Sequence, residues 1–442
     1  MIEVNVEKKL LLNSFSPLHA HRPTFFQVFL FIWNQSDLNK SQLTPQDGAP
    51  ARIRKRIIQD LDRVYYPDKF VVPFIDVIHD RAVCEIFRGC IRGCRFCQAG
   101  FICRPVREKS VDTICRQSRL LCEQTGYEEV SLLSLSTSDY THIEPLLAKM
   151  LEWAEPQHTN IGVPSLRIDG FSEELANRLN VLRRNGLTFA PEAGTQRLRD
   201  AINKNLTEEE ILRTVNKAFK GGWNAVKLYF MMGLPTETDE DVLGIAALGQ
   251  KIVDAYYANP DRPKGKPVSI SISTACLVPK PFTPFQWEPQ DTREQLLRKQ
   301  SLLRGAITTR KISLSCHEPS TSFLEAVFAR GDRRLGAAIL EAWRRGYHLE
   351  AWSEHYDADG WLDVFRTCGI DPAFYANRRR PYDEVLPWDH LDYGVRKDFL
   401  IAEDERAHRS ETTPNCRQKC AGCGAACFKG GLCVAERQSD LC

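Results

Sequence analysis

The sequence has little of two features that often disclose a partner: an excess of one charge and a long apolar run. Its 442 residues include 59 Lys and Arg against 57 Asp and Glu, so the formal net charge is only +2. This balance does not indicate a nucleic-acid or membrane surface as the partner. The most apolar stretch near the start, residues 25–33, is far too short to span a bilayer. No small-residue cleavage site follows it, so we interpret it as a buried strand or helix of a cytoplasmic protein without membrane contact.

Cysteine, in contrast, is abundant. The chain has 16 cysteines, and many of them fall in two tight groups at residues 84–103 and 416–433. A chain of this length can bury a large apolar core and does not need disulfide bonds for stability. Close spacing suits metal ligation better than bridging. We therefore expect a reducing compartment and metal-binding cysteines.

Strand and helix patterns alternate through the middle of the chain. Six apolar segments read as strands, each followed by a helical pattern: residues 81–87, 129–135, 160–168, 187–190, 225–231 and 268–275. Strict alternation predicts an α/β fold with a parallel sheet, and six units favour a partial (β/α)6 TIM-like barrel. In such barrels the chemistry lies at the carboxyl ends of the strands.

The sequence divides into four predicted segments. Residues 1–50 are an irregular or truncated start, and residues 51–310 form the barrel. The alternation stops after about residue 310, so residues 311–410 are expected to be a smaller, mainly helical region. Residues 411–442 are a Cys-rich tail that is expected to bind a metal or a cluster.

The first cysteine group contains a short motif directly after the first predicted strand. Cys90, Cys94 and Cys97 have C-x3-C-x2-C spacing on one loop. Three thiolates bind three irons of a four-iron cubane and leave the fourth iron open to another ligand. A structural zinc site would need a fourth ligand, for which Cys84 and Cys103 are candidates. Zinc and a disulfide pair remain alternatives at this point.

The motif C-x3-C-x-F-C on the loop after the first barrel strand resembles that of the radical S-adenosylmethionine (SAM) superfamily. The resemblance implies that Cys90, Cys94 and Cys97 hold a [4Fe–4S] cluster. It also implies that the open iron binds the amino and carboxylate groups of SAM, which is split to a 5′-deoxyadenosyl radical. Phe96 is the aromatic residue that usually precedes the third cysteine.

Two further strand ends carry polar side chains that can hold SAM. Ser136, Ser138 and Asp139 replace a Gly-Gly-Glu-Pro-like turn of the superfamily, and their oxygens can accept from the SAM ammonium group. The alternative is that Asp139 caps the following helix. Arg167 can clamp a carboxylate, with an ordinary ion pair as the alternative.

The next two strand ends carry a Pro-Glu-Ala-Gly run and a Gly-Leu-Pro-Thr-Glu run. Glu192 can bind ribose hydroxyls, and a purely structural glutamate is the alternative. Gly233 lets the backbone approach a ligand, in a motif similar to the superfamily's adenine and helix-start motif. Thr236, with Glu237 or Asp239, can also cap the next helix.

The match is closer to one bacterial group of uncharacterised B12-binding-type radical SAM proteins, and it spans residues 50–430. Segments that carry it include residues 87–100, 285–288 and 328–334. Members of that group usually have an N-terminal cobalamin domain of flavodoxin type. Too few residues precede Cys90 for such a domain, and they contain no D-x-H-x-x-G run. The sequence therefore argues against cobalamin in this chain.

The tail holds Cys416, Cys420, Cys423 and Cys427 within twelve residues. Four thiolates can saturate a zinc ion or hold a second [4Fe–4S] cluster. We favour the cluster because a redox relay suits radical chemistry. Zinc, in a knuckle that contacts RNA, and incidental cysteines in a disordered tail remain open.

These observations predict a radical SAM enzyme that modifies a macromolecule, with RNA or a ribosome-associated substrate favoured and flavodoxin or ferredoxin as electron donor. The alternative is a non-catalytic RNA-binding protein that contains zinc or a cluster. Basic runs at residues 52–56 and 378–380 can meet phosphates, but solvated faces are the favoured interpretation.

Overall fold

The computed structural model describes residues 31–34, 42–45, 48–164, 187–262 and 265–428. The strands are β1 (Phe31–Asn34), β2 (Gln42–Pro45), β3 (Ile53–Arg54), β4 (Ala82–Glu85), β5 (Phe87–Arg88), β6 (Arg107–Glu108), β7 (Glu129–Leu133), β8 (Asn160–Gly162), β9 (Leu187–Glu192), β10 (Ala225–Met232), β11 (Ser269–Cys276), β12 (Ile312–Cys316) and β13 (Leu391–Asp392). The α-helices are α1 (Gln98–Ile102), α2 (Val111–Thr125), α3 (Ile143–Ala154), α4 (Gln196–Ala201), α5 (Glu208–Lys220), α6 (Asp239–Ala258), α7 (Arg293–Ala306), α8 (Pro319–Ala329), α9 (Leu335–Arg344), α10 (Ala358–Thr367), α11 (Pro372–Ala376) and α12 (Lys397–His408).

Two parallel sheets form the centre of the molecule. One has the order β4-β7-β8, and the other has the order β12-β11-β10-β9. Their strands follow one another in chain order with helices between them, which is the arrangement of a partial α/β barrel. The predicted fold class is therefore confirmed, and each of the six predicted strands is present, the third only as the short β8.

The prediction that alternation stops after residue 310 was wrong by one strand. β12 pairs in parallel with β11, from Ile270 opposite Ile312 to Thr274 opposite Cys316. Its sequence, Ile-Ser-Leu-Ser-Cys, alternates apolar residues with two serines, Ser313 and Ser315, which are exposed on this edge strand of the sheet. The helical region therefore begins with α8.

Each sheet buries one face against helices. Along β10 every second side chain is buried, from Val226 through Leu228 and Phe230 to Met232. These residues join side chains of α5, α6 and α7 in the largest apolar core. The side chains between them, including Lys227 and Tyr229, lie on the other face and are exposed. Because successive side chains of a strand point to opposite sides, β10 separates the apolar core from the open inner face of the sheet.

Capping boxes begin the barrel helices α5 and α6. Thr207 caps α5, and Glu210 bonds back to it. For α6 the predicted cap, Thr236, was wrong: Thr238 is the cap residue, and Asp241 completes its capping box. Thr236 instead has φ of +66° and accepts a hydrogen bond from Arg197.

The C-terminal part of the chain packs back on the barrel. Helices α8 to α11 surround a second apolar core that includes Val327, Val364 and Phe365. Helix α12 lies against the 3-10 turn Pro284–Trp287, and β13 pairs in parallel with β3 near the start of the described chain. No helix among the described residues is long and apolar enough to cross a membrane.

Some predicted features lie outside the described residues. They are Arg167, the helix expected at residues 172–184, the residues of the apolar stretch before Phe31, Cys433 and Cys442.

Gly194 offers a test of how the end of β9 is held. A Cβ atom there would lie within 2.6 Å of backbone atoms of Asp241, Gly244 and Ile245 in α6. We expect Gly194→Ala to destabilise the protein by about 1–3 kcal/mol, because backbone cannot yield as a flexible side chain does. Gly336→Ala is the control, since its Cβ would meet nothing within 4 Å. Thermal melts that show equal stability for the two variants would contradict this packing.

Candidate functional site

The three predicted iron ligands lie on one loop that connects β5 to α1. Cys97 is the N-cap of α1, and its Sγ accepts from the Gly100 N–H at 3.4 Å. The Sγ of Cys90 accepts from the Arg92 N–H, also at 3.4 Å. Burial, reinforced by the charge of Cys94, raises the pKa of Cys90 to about 12, and the same two causes raise the pKa of Cys97. The loop therefore gathers three thiols that influence one another.

The distances between the sulfurs distinguish two kinds of metal site. Tetrahedral zinc, with Zn–S bonds of about 2.3 Å, requires its thiolates to lie close together. Among the described residues, no three cysteine sulfurs lie within 4.8 Å of one another. A cubane holds thiolates farther apart because each binds a different iron. The donor set and its spacing fit an iron–sulfur cluster, and the two backbone N–H groups match the usual support of cluster sulfurs.

The zinc alternative of the sequence analysis loses one of its two candidate fourth ligands here. Cys84, one candidate for a fourth zinc ligand, is fully buried in the apolar core between β4, β7 and α2. Cys103 ends α1, and the charges nearest to it are those of Lys55 and Arg107. Every cysteine among the described residues is a free thiol. The disulfide alternative therefore has no support in this part of the chain.

A buried ion pair ties the cysteine loop to the end of β7. The Arg92 guanidinium donates to both carboxylate oxygens of Asp139, at 2.9 and 2.5 Å, and Ser136 Oγ donates to the same carboxylate at 2.6 Å. Asp139 ends the 3-10 turn Thr137–Asp139, in which Ser138 is half-buried. The N-cap of α3 is His142, so the alternative that Asp139 caps this helix was wrong. Its carboxylate instead positions the loop.

The turn after α4 holds the other side of the loop. Asn203 Nδ2 donates to the Gly93 carbonyl at 3.0 Å, and the Arg95 N–H donates to the Ile202 carbonyl at 3.0 Å. The fully buried Arg95 guanidinium donates to the Ala201 carbonyl and to Glu403 of α12. The loop is therefore fixed by elements that are distant in sequence.

Glu192 lies at the carboxyl end of β9 in an unusual backbone conformation. Its φ of +68° is in the left-handed region, and the pairing of β9 with β10 is irregular at this point. Lys204 Nζ donates to its Oε1 at 3.1 Å, and both charges act on the thiol of Cys97. Left-handed backbone at a residue other than glycine costs free energy and is concentrated at functional sites. Glu192 is thus a half-buried carboxylate beside the cysteine loop.

Gly233 also has positive φ, +80°, but its surroundings are filled by protein. Its N–H donates to Glu237 Oε2 at 2.7 Å, and a Cβ would lie 3.2 Å from Asp291 and Leu296. Lys299 donates to Glu237 and Asp291, each at 2.7 Å. Burial raises the pKa of Glu237 in spite of Lys299. Close approach of backbone to a buried ion-pair network explains this glycine in the described structure.

Phe96 connects the cysteine loop to the other strand ends. It packs, half-buried, against a cluster that includes Ala193, Leu234, Leu277 and Phe285. The first three of these follow β9, β10 and β11, respectively. The aromatic ring before the third cysteine therefore anchors the loop to the mouth of the second sheet.

The tail cysteines lie against the cysteine loop. The Cys416 N–H donates to the Ile91 carbonyl at 3.1 Å. Cys416, Cys420 and Cys423 line one small cavity, whose wall also includes Gly93 and Arg104. The Gly422 N–H donates to Cys420 Sγ at 3.4 Å, and burial raises the pKa of Cys416. The first three tail cysteines thus face the protein interior.

Cys427, the fourth tail cysteine, lies at the edge of this group. Its carbonyl accepts from Arg54 at 3.3 Å, and its thiol acts on the ammonium of Lys55. Burial lowers the pKa of Lys55 to about 8, while its Nζ donates to the Ile102 carbonyl at 2.7 Å. The tail therefore packs against both the start of the barrel and α1.

In the first basic run Arg52, Arg54 and Arg56 are exposed, as the favoured interpretation of a solvated face expects, whereas the second run forms no such face. In the first run, Arg54 and Lys55 support the tail. In the second, Arg378 pairs with Glu384, and Arg380 is buried and donates to the Arg330 carbonyl. Arg378 and Arg380 are therefore used for contacts within the protein.

Arg379 pairs with Glu288 and Asp404, which with His408 form a group of three possible metal ligands within 4.8 Å. The guanidinium of Arg379 offsets part of the negative charge of this group.

Sequence reasoning missed four residues that hold the site: Arg92, Arg95, Arg104 and Asn203. Arg92 and Arg95 lie inside the cysteine motif, and their charge next to predicted ligands was the available signal. Arg104 and Asn203 carry no such signal, because their partners are backbone carbonyls that the fold brings close.

Comparison with known proteins identifies the family of this chain. The model of the radical SAM superfamily matches residues 84–249. An uncharacterised protein of Methanocaldococcus jannaschii is 32% identical over 321 residues, which cover 70% of this chain and 68% of that protein. The tRNA-2-methylthio-N(6)-dimethylallyladenosine synthase of Petrotoga mobilis is 24% identical over 181 residues, which cover 38% of this chain and 40% of that enzyme.

Among solved structures, the radical SAM methyltransferase TsrM from Kitasatospora setae, with cobalamin and a [4Fe–4S] cluster bound, aligns with 16% identity and a TM-score of 0.39. The alignment covers 65% of this chain and 61% of that chain. From the family match and the relative in Methanocaldococcus, the chain belongs to the radical SAM superfamily of enzymes.

Proposed function

We propose that this enzyme cleaves SAM at a [4Fe–4S] cluster bound by Cys90, Cys94 and Cys97. The observation that carries the proposal is the arrangement of these thiols on one supported loop beside the carboxyl ends of parallel strands. Among the described residues no three cysteine sulfurs lie within 4.8 Å of one another, and three thiolates on one loop suit a cubane with one open iron. Such a cluster, once reduced, supplies the electron that splits the sulfonium of SAM.

The residues around the loop have distinct proposed roles. Glu192 binds the ribose hydroxyls of SAM, and Lys204 holds its carboxylate in place. Ser136, Ser138 and Asp139 border the position of the amino group, with Asp139 also fixing Arg92. Arg167, outside the described residues, stays the proposed partner of the SAM carboxylate. Gly233 stays a proposed backbone neighbour of the adenine.

RNA is the proposed substrate class. The support is the sequence similarity to the tRNA-modifying enzyme of Petrotoga mobilis, which covers 38% of this chain. The second basic run adds nothing to this proposal, since Arg378 and Arg380 pair internally. A low-potential electron donor such as flavodoxin or ferredoxin is also proposed, because each SAM cleavage consumes one electron.

The tail is proposed to hold a second centre. Cys416, Cys420 and Cys423 share a cavity at the back of the cysteine loop, and Cys427 completes the set of four. A zinc knuckle that contacts RNA would turn outward, whereas these cysteines face the interior. This placement favours an auxiliary [4Fe–4S] cluster.

Removing one ligand of the first cluster tests the proposed function. We expect anaerobically reconstituted wild-type protein with dithionite to form 5′-deoxyadenosine from SAM, and Cys94→Ala to form none, because the cluster loses a ligand. Cys368→Ala, a cysteine in the helical region beside α10, should retain the activity. Chromatographic product analysis measures the outcome, and a wild-type protein without a [4Fe–4S] spectrum would rule out the proposal.

The same assay tests the substrate class. Bulk tRNA should raise the rate of 5′-deoxyadenosine formation above the rate without substrate. After nuclease digestion, the treated tRNA should contain a nucleoside of new mass. An unchanged rate and unchanged nucleosides would contradict the RNA assignment while leaving SAM cleavage intact.

Glu192→Gln tests the proposed ribose contact. The loss of charge-assisted hydrogen bonds costs about 1.5–3 kcal/mol, so the KM for SAM should rise about tenfold or more. Glu325→Gln removes an ion-paired glutamate that contacts Lys280, outside the proposed SAM site, and should leave the KM unchanged. Equal KM values for Glu192→Gln and the wild type would exclude Glu192 from SAM binding.

Metal analysis distinguishes the proposals for the tail. Cys420→Ala should lower the iron content by about four atoms per chain if the tail holds a [4Fe–4S] cluster. A loss of one zinc atom would instead identify a zinc site, and no change in either metal would mean that the tail cysteines are not ligands. Cys368→Ala again serves as the control.

A further inference from the structure

Arg104 lies between the two groups of cysteines. Its side chain is nearly inaccessible, with 5% of the residue exposed. Nε donates to the Gly100 carbonyl at 3.0 Å, and Nη2 donates to the Arg92 carbonyl at 2.9 Å, so the guanidinium is fixed on the cysteine loop. The Phe101 ring lies 4.8 Å from its central carbon. On the tail side, Arg104 forms part of the wall of the cavity that Cys416, Cys420 and Cys423 line.

The charge of Arg104 has no carboxylate partner among the described residues. Arg92 and Arg95 on the same loop pair with Asp139 and Glu403. A buried guanidinium without an anion is costly, so the structure must supply negative charge in another form.

The candidates for this negative charge are sulfurs. Burial by itself lowers the pKa of Arg104, but the negative thiolates of Cys423 and Cys416, with a smaller contribution from Cys90, raise it above its usual value. Arg104 therefore lies between the cysteine loop, to which it is hydrogen-bonded, and the cavity that the tail cysteines line.

We propose that Arg104 is a counter-charge shared by the two metal centres, which couples their affinity and reduction potential. The proposal rests on the proposed function, in which both cysteine groups bind metal. Each centre is net anionic, because the thiolates outweigh the positive charge of the iron–sulfur core or of the zinc ion. The positive guanidinium stabilises both, and it stabilises the reduced first cluster more than the oxidised one.

Two consequences follow from this position. Without the positive charge, the first cluster is harder to reduce, so its midpoint potential becomes more negative. The tail also holds its metal less tightly, because the positive charge in the wall of the cavity that its ligand sulfurs line is lost. Coupling between the sites is reciprocal: a stable tail centre and a reduced first cluster compete for the same cation.

Three variants of the full chain separate charge from structure. Arg104→Gln removes the charge, Arg104→Lys keeps it without the planar fork, and Arg107→Gln is the matched control. Arg107 is also buried, and it donates to the carbonyls of Pro105, Ile58 and Cys103, away from the tail cysteines. Iron, zinc and sulfide contents are measured first, followed by an EPR-monitored redox titration and a chelator challenge.

We expect Arg104→Gln to shift the first cluster to a more negative midpoint potential and to lose tail metal to the chelator about tenfold faster. Arg104→Lys and Arg107→Gln should stay near the wild type in potential. Equal potentials in wild type and Arg104→Gln, or equal shifts in the Gln and Lys variants, would overturn the proposal.

The two proposals fail in different ways. If wild-type protein assembles no [4Fe–4S] cluster, the proposed function fails. If both centres assemble and the potential does not respond to the charge, only the shared counter-charge fails. Should Arg104→Gln not fold, the Lys variant is measured instead. A midpoint potential equal to that of the wild type supports the proposal, and a shifted potential overturns it.

Discussion

The structure around the cysteine loop depends on buried arginines that satisfy its backbone and bind it to the rest of the protein. A loop that presents three sulfurs to one cluster cannot form regular hydrogen bonds, so its carbonyls need other donors. Arg104 donates to two of them, and Arg92 and Arg95 extend outward to the end of β7 and to α12. Buried guanidinium groups suit this role because each has five donors in a fixed plane.

This arrangement explains why the C-terminal region packs on the barrel. Glu403 of α12 receives Arg95, and Thr413 beyond it bonds with Asn203, which in turn holds Gly93. The tail then continues along the back of the loop, where Cys416 meets Ile91. The two cysteine groups, more than 300 residues apart in sequence, are thereby brought to opposite sides of one short segment.

The glycines and the glutamate at the strand ends have different roles: the glycines serve the packing of the fold, and the glutamate serves the proposed chemistry. Gly194 allows the chain after β9 to contact the backbone of α6, and Gly233 allows a close approach to Asp291. Both glycines are therefore explained by packing. Glu192, between strand and helix, has a strained backbone that packing alone does not require. Thr236 after β10 has a similar positive φ, but it contacts Arg197, whereas Glu192 lies beside Cys97 of the cysteine loop.

The sequence by itself determined the α/β barrel class, the six strands and the superfamily, because these depend on local periodicity and on a motif within eight residues. It did not reveal β12, a five-residue edge strand with two exposed serines, or the internal use of the basic run at residues 378–380. Only the tertiary structure decided that Asp139 binds Arg92, that Gly233 faces Asp291 and that Arg104 lies between two cysteine groups. These contacts join residues that are distant in sequence, and their partners are often backbone carbonyls, which every residue carries and no sequence pattern distinguishes.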